Sequence, residues 1–181
     1  MSKTKKIILS SMLLALLIVL SRFLSIETQF LVLSFGFVPI MLSAVWLGPK
    51  YSSVIAGLGD LIGAILFPFG AYFPGFTLSA IISGLIYGVF LYDKNNDFSN
   101  KKILFRLIIS SLLVLIIVNV FITSYWLHIL YGRAYIVIIS TRIVSQIVML
   151  PIQVIIIFLL NKSLKPVIDK YLINDQEDFN D

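Results

Sequence analysis

The chain has 181 residues, 59% of them apolar and only 13% charged, a balance a soluble globule cannot hold because it must present a charged exterior. It has no cysteine, which excludes a disulfide framework and thiolate metal sites, and a single histidine, His128, which argues against a histidine-rich metal centre. The net charge of +5 would suit nucleic acid in a soluble chain. Here the basic residues have a simpler home in short loops between membrane spans, so the expected partner is the lipid bilayer and not nucleic acid.

A span needs about 20 apolar residues to cross about 30 Å of hydrocarbon. The first is expected over residues 7–26, preceded by Lys3, Lys5 and Lys6. A basic start before an apolar run imitates a secretory leader, but no small-residue cleavage site follows, so it reads as an uncleaved first helix. A short second span covers 35–47, with Pro39 inside it, and stops at the turn signal Gly48, Pro49 and Lys50. The third and fourth cover 51–66 and 76–92. The polar stretch 93–102 is a solvated loop. The fifth and sixth cover 103–125 and 136–160, and the end of the chain, 174–181, reads as a disordered tail.

The expected fold class is therefore all-α: one polytopic membrane domain with six transmembrane helices, located in the cell membrane as a multi-pass protein. Six spans put both termini on one side. That side collects Lys3, Lys5, Lys6, Lys50, Lys94, Lys101, Lys102, Arg106, Lys162, Lys165 and Lys170, eleven of the 14 lysines and arginines. Arg22, Arg133 and Arg142 fall toward the other. The positive-inside rule then makes both termini cytoplasmic. Gly59 and Gly63, and the stripe Ala80, Gly84 and Gly88, have the small-residue spacing of close helix contacts, expected between spans three and four.

Polar residues inside the apolar runs mark where chemistry is possible. Arg22 lies about 22 Å along span one, at 1.5 Å per residue. It either faces a partner or wet cavity, or snorkels to the outer interface. Asp60 is the acid well inside a span, and either pairs with Arg22 or Arg142 or receives donors from a ligand. Residues 67–77, FPFGAYFPGFT, crowd aromatics with proline and glycine at the outer end of spans three and four. An aromatic belt needs no such density of Pro and Gly, so this stretch reads as a cavity wall. Asn119, Thr123 and Trp126 recur at i, i+4 and i+7, one face of a helix that suits a ligand or interhelical hydrogen bonding. Arg142 and Gln146, four apart, have the spacing to line the same cavity, with Pro151 beyond.

No phosphate-binding glycine loop, zinc-protease motif or nucleophile elbow occurs. The chain offers a cavity and no means of driving transport, and it is not expected to be an enzyme or to carry a cofactor.

With these residues in view, the sequence resembles the S components of energy-coupling factor (ECF) vitamin transporters, specifically the folate-binding kind, over essentially its whole length. The resemblance rests on residues 59–63, GDLIG, followed by the 67–77 stretch. Arg22, the run from Asn119 through Thr123 and Trp126 to Leu130, Tyr131 and Gly132, and Arg142 with Gln146 and Pro151 support it. It implies six helices with cytoplasmic termini and a folate or reduced folate bound near the outer face. The implied binding residues are Arg22, Asp60, Phe69, Gly70, Tyr72, Phe73, Pro74, Gly75, Thr77, Asn119, Thr123, Trp126, Arg142 and Gln146. Residues 27–34 and 69–74 would serve as lids. A membrane scaffold subunit and two ATPase subunits would supply the energy, ATP being used by those partners, and the S component would topple in the membrane to release its vitamin. Docking on the scaffold would use a small-residue face of span one, here Ser11 and Ala15, with serine where the family pattern has alanine. A flat pterin suits stacking on Phe, Tyr and Trp, and its edge suits Arg, Asp, Asn, Thr and Gln. An S component for pantothenate or thiamine, an intramembrane enzyme and a purely structural subunit are the competing readings.

Overall fold

The computed structural model describes residues 2–27, 32–68, 72–93, 100–132 and 134–168. Phe69, Gly70 and Arg133, the centre of the 93–102 loop and the 174–181 tail lie outside the described residues.

Among the described residues the helices form six rods. These are α1 (Lys3–Arg22), α2 (Phe37–Leu47), α3 (Pro49–Leu66), α4 (Pro74–Leu91), a continuous rod made of α5 (Asn100–Leu113), a π-helical stretch (Val114–Ile122) and α6 (Thr123–Tyr131), and α7 (Tyr135–Ile168). Four of them, Lys3–Arg22, Pro74–Leu91, Lys102–Tyr131 and Tyr135–Leu164, are long and apolar enough to cross a membrane. Their outward faces carry large bare hydrophobics such as Met12, Phe105, Ile136 and Val144. Such surface is tolerable where lipid replaces water. Apart from one small hairpin among the described residues, the chain is thus an all-helical polytopic membrane protein.

That hairpin replaces the end of the expected first span. The helix stops at Arg22, and Ser25–Glu27 pairs antiparallel with Val32–Ser34, Ser25 facing Ser34. Leu24 is followed by Ser25, Ile26 and Glu27, and the β-branched and polar mix no longer sustains an apolar helix.

The shortest rod is the most buried. α2 has 11 residues, about 16 Å at helical rise, and hides Met41, Leu42, Ala44 and Val45 almost completely. Pro39 sits in its first turn, where no intrahelical donor is required. Gly48 takes φ +87°, letting the chain reverse into α3 beneath the ring of Tyr92.

Small residues decide which helices touch. A Cβ on Gly84 would stand 2.5 Å from the Ser52 carbonyl oxygen, and one on Gly88 would run into Pro49. Ser52 Oγ donates to the Gly84 carbonyl at 2.7 Å, so α3 and α4 meet backbone to backbone. Gly59 and Gly63 do not share in that contact, contrary to the expectation from spacing. A Cβ on Gly59 would strike Leu17, and one on Gly63 would stand 2.7 Å from Arg22 Nε, so both glycines face α1. At the other end of the bundle, Arg106 donates to Asp93 at 2.9 Å and ties the start of α5 to the end of α4.

Candidate substrate-binding site

A cavity of about 680 Å³ opens among α1, α2, α3, α4, α6, α7 and the π-helical stretch. Its walls follow from where each helix must stop. α3 ends at Leu66 beside Phe67 and Pro68, and α4 restarts at Pro74, because proline disfavours helical geometry in the residue before it and is accepted at a helix start. The break brings Tyr72, Phe73 and Phe76 to one side of the opening.

Eight of the expected site residues line the cavity: Arg22, Asp60, Tyr72, Phe73, Asn119, Thr123, Arg142 and Gln146. Arg22 lies along the groove left by Gly63. Asp60 Oδ2 accepts a hydrogen bond from Thr77 Oγ1 at 2.7 Å, and Tyr72 OH lies 3.3 Å from the same Thr77 oxygen. Asp60 therefore belongs to a polar chain from α3 to the start of α4, and it is ion-paired with neither Arg22 nor Arg142 among the described residues. Asn119 Nδ2 donates to Gln146 Oε1 at 3.1 Å, joining the π-helical stretch to α7. That leaves the Asn119 carbonyl oxygen and the Gln146 amide hydrogens as an acceptor and donor pair at the cavity wall. Arg142 is only 8% exposed, and its Nε finds no hydrogen-bond partner among the described residues. A buried guanidinium group short of acceptors is costly, and an acceptor-bearing ligand in the cavity would supply them.

Other expected residues act from behind the wall. Thr77 does not line the cavity and reaches it through Asp60 and Tyr72. Pro74 opens α4, and Gly75 makes room for the Trp126 ring. Trp126 does not line the cavity with Asn119 and Thr123. The expectation of one shared face used the α-helical period. The Thr123 N–H instead reaches back five residues to the Val118 carbonyl, and the wider turn moves the face.

Several lining residues carried no expectation, namely Ser21, Phe37, Ser79 and Ser83, while Ser34 was expected only within the 27–34 lid and Tyr131 only within the run that supports the resemblance. Gly75, Ser79 and Ser83 repeat every four residues along an apolar helix, a signal that could have exposed the two serines. Ser11 and Ala15 lie on an exposed face of α1, away from the cavity.

With two guanidinium groups and one carboxylate among the described lining residues, the cavity favours an anion. Its aromatic wall and amide pair favour a flat, hydrogen-bonding ligand.

Comparison with known proteins agrees with this picture. Residues 5–161 match the family model for the substrate-specific component of ECF transporters. A relative from Clostridium novyi (strain NT), named folate transporter FolT, is 38% identical over 87% of this chain and 88% of its own length. A second FolT, from Leuconostoc mesenteroides, is 40% identical over 88% of this chain and 86% of its own. A crystal structure of FolT bound with folic acid superposes with a TM-score of 0.78 at 36% identity, covering 88% of this chain and 94% of that one. The S component of a bacterial ECF transporter superposes with a TM-score of 0.68 at 27% identity, covering 92% and 99%. The fold, the cavity among its helices and the match over 5–161 together establish that this chain belongs to the family of ECF transporter substrate-specific components.

Proposed function

We propose that this chain is the folate-binding S component of an ECF-type importer of the cell membrane, taking up folate or a reduced folate at the outer face. It is a transporter component and not an enzyme. The observation that carries the reading is the cavity itself: Arg22, Arg142 and Asp60 line a space of about 680 Å³ beside five aromatic rings. Charges set at membrane depth are expensive and are kept where they serve a ligand or pathway. The FolT relatives and the likeness to FolT bound with folic acid support folate as that ligand.

In this reading six helices cross the membrane and both termini are cytoplasmic, as the split of basic residues favours. Arg22, Asp60, Tyr72, Phe73, Asn119, Thr123, Arg142 and Gln146 form the ligand shell, and the 69–74 segment, with Phe69 and Gly70, closes over it. A scaffold membrane subunit and two ATPase subunits supply the energy, and Ser11 and Ala15 on α1 meet the scaffold. The chain binds folate alone but does not accumulate it. Isothermal titration of the detergent-solubilised chain with folate, pantothenate and thiamine tests the ligand. Saturable binding of folate alone is expected, and binding of either other vitamin in its place refutes the reading.

A further inference from the structure

Resting on the folate reading above, we infer that Trp126 is a positioning residue, a latch that holds the first turn of α4 against α6 and thereby sets the aromatic wall without touching the ligand. Its indole Nε1 donates to Ser79 Oγ at 3.2 Å, and Ser79 Oγ donates in turn to the Gly75 carbonyl at 3.0 Å. Ser79 is 5% exposed. Gly75 is cut to fit between two rings, since a Cβ there would stand 2.5 Å from Phe73 Cε1 and 2.6 Å from Trp126 Cδ2. The Phe73 ring lies 5.6 Å from the indole and 5.9 Å from Phe76.

The ordering of these groups separates the roles. Phe73, Phe76 and Ser79 line the cavity and Trp126 does not. Thr77, one residue beyond Phe76, holds Asp60. Displacing the first turn of α4 therefore moves two aromatic rings and the partner of the cavity's carboxylate together. A tryptophan of the interfacial belt turns its N–H toward headgroups and water. This one turns its N–H inward to a buried serine, so it serves the wall.

The test uses the full chain in detergent. Trp126→Phe keeps a ring and removes the N–H, and Ser79→Ala removes its acceptor. Each is expected to weaken folate binding roughly fivefold. The double variant should lose no more than the worse single one, because both break one link. Gly75→Ala is expected to lose roughly tenfold or more, by collision. A ligand contact through Trp126 would instead multiply the losses. That result, or wild-type affinity in both Trp126→Phe and Ser79→Ala, overturns the latch. Should Gly75→Ala fail to fold, the Trp126→Phe/Ser79→Ala cycle still decides.

The chain has two tryptophans, so Trp46→Phe leaves Trp126 as the only indole. Without ligand, Ser79→Ala should shift its emission maximum. Folate should lower its intensity and leave the maximum in place. A maximum that moves on folate addition marks direct contact, and an unshifted one in ligand-free Ser79→Ala shows that no latch exists. A wild-type chain that binds no folate refutes the folate reading alone, because the ligand-free comparison still judges the latch.

Discussion

Thr77 donates its hydroxyl hydrogen to Asp60 at 2.7 Å, and that bond stitches α4 to α3 at the cavity wall. One carboxylate oxygen is thereby occupied and the other is left for a donor on the ligand. Thr77→Val keeps the shape and removes the bond. It is expected to weaken folate binding by about 1 kcal/mol, roughly fivefold. Tyr72→Phe, which removes an exposed hydroxyl at 3.3 Å from Thr77, should change it little. Titration of both variants checks the order, and equal losses would mean that Tyr72 is the residue that matters.

Arg142 offers the sharper test. A hydrogen bond to a buried charged group is worth about 1.5–3 kcal/mol, so Arg142→Gln should reduce folate affinity by roughly one to two orders of magnitude. Because Asp60 is satisfied by Thr77 and not by an arginine, adding Asp60→Asn should not restore the affinity. Restoration would show that the arginine serves only to neutralise Asp60.

The glycines separate packing from backbone conformation. Gly84→Ala drives a methyl into the Ser52 backbone, and overpacking of that kind costs about 1–3 kcal/mol. Gly132 ends α6 at φ +64° with nothing within 4 Å of a Cβ, so Gly132→Ala meets only backbone strain, about 1 kcal/mol. Thermal unfolding in detergent should show the larger drop for Gly84→Ala. The reverse order would place the closest helix contact elsewhere.

Topology can be read chemically, because the native chain has no cysteine. Single cysteines at Ser2 and Ser99 are expected to resist an impermeant reagent in intact cells and to react after permeabilisation. Labelling of either from outside would reject cytoplasmic termini.

Ser11 and Ala15 sit on the exposed face of α1. Ser11→Trp or Ala15→Trp should leave folate binding by the isolated chain intact and abolish uptake by the assembled transporter, since only small side chains allow close helix contact. Normal vesicle uptake by both variants would move the docking face.

What the sequence made legible follows from the physics of each signal. Apolar runs mark helices because lipid demands them, and the stray charges Arg22, Asp60 and Arg142 mark the cavity because their burial is expensive. Helical spacing shows that Gly59 and Gly63 share a face, but it carries no information on which helix lies opposite, and α1 occupies it rather than α4. The hairpin at Ser25–Glu27 went unread because three residues are too few for an alternating pattern. Trp126 was misplaced because a period of 3.6 was applied across a stretch that does not keep it.

That stretch, Val114–Ile122, has a further consequence. A π-helix stores surplus chain: each wide turn holds more residues than an α-turn of the same helix. Removing one residue there lets the stretch rewind toward 3.6 residues per turn, and the helix beyond it keeps its facing. Thr123 would stay on the cavity and Trp126 opposite Ser79, whereas one residue removed from the α-helical part of the rod would turn everything beyond it by roughly 100°. The stretch therefore absorbs a change in the length of this one helix without turning the site, and an alignment with a chain of ordinary α-helical winding belongs with its gap inside 114–122, not in the loops at either end.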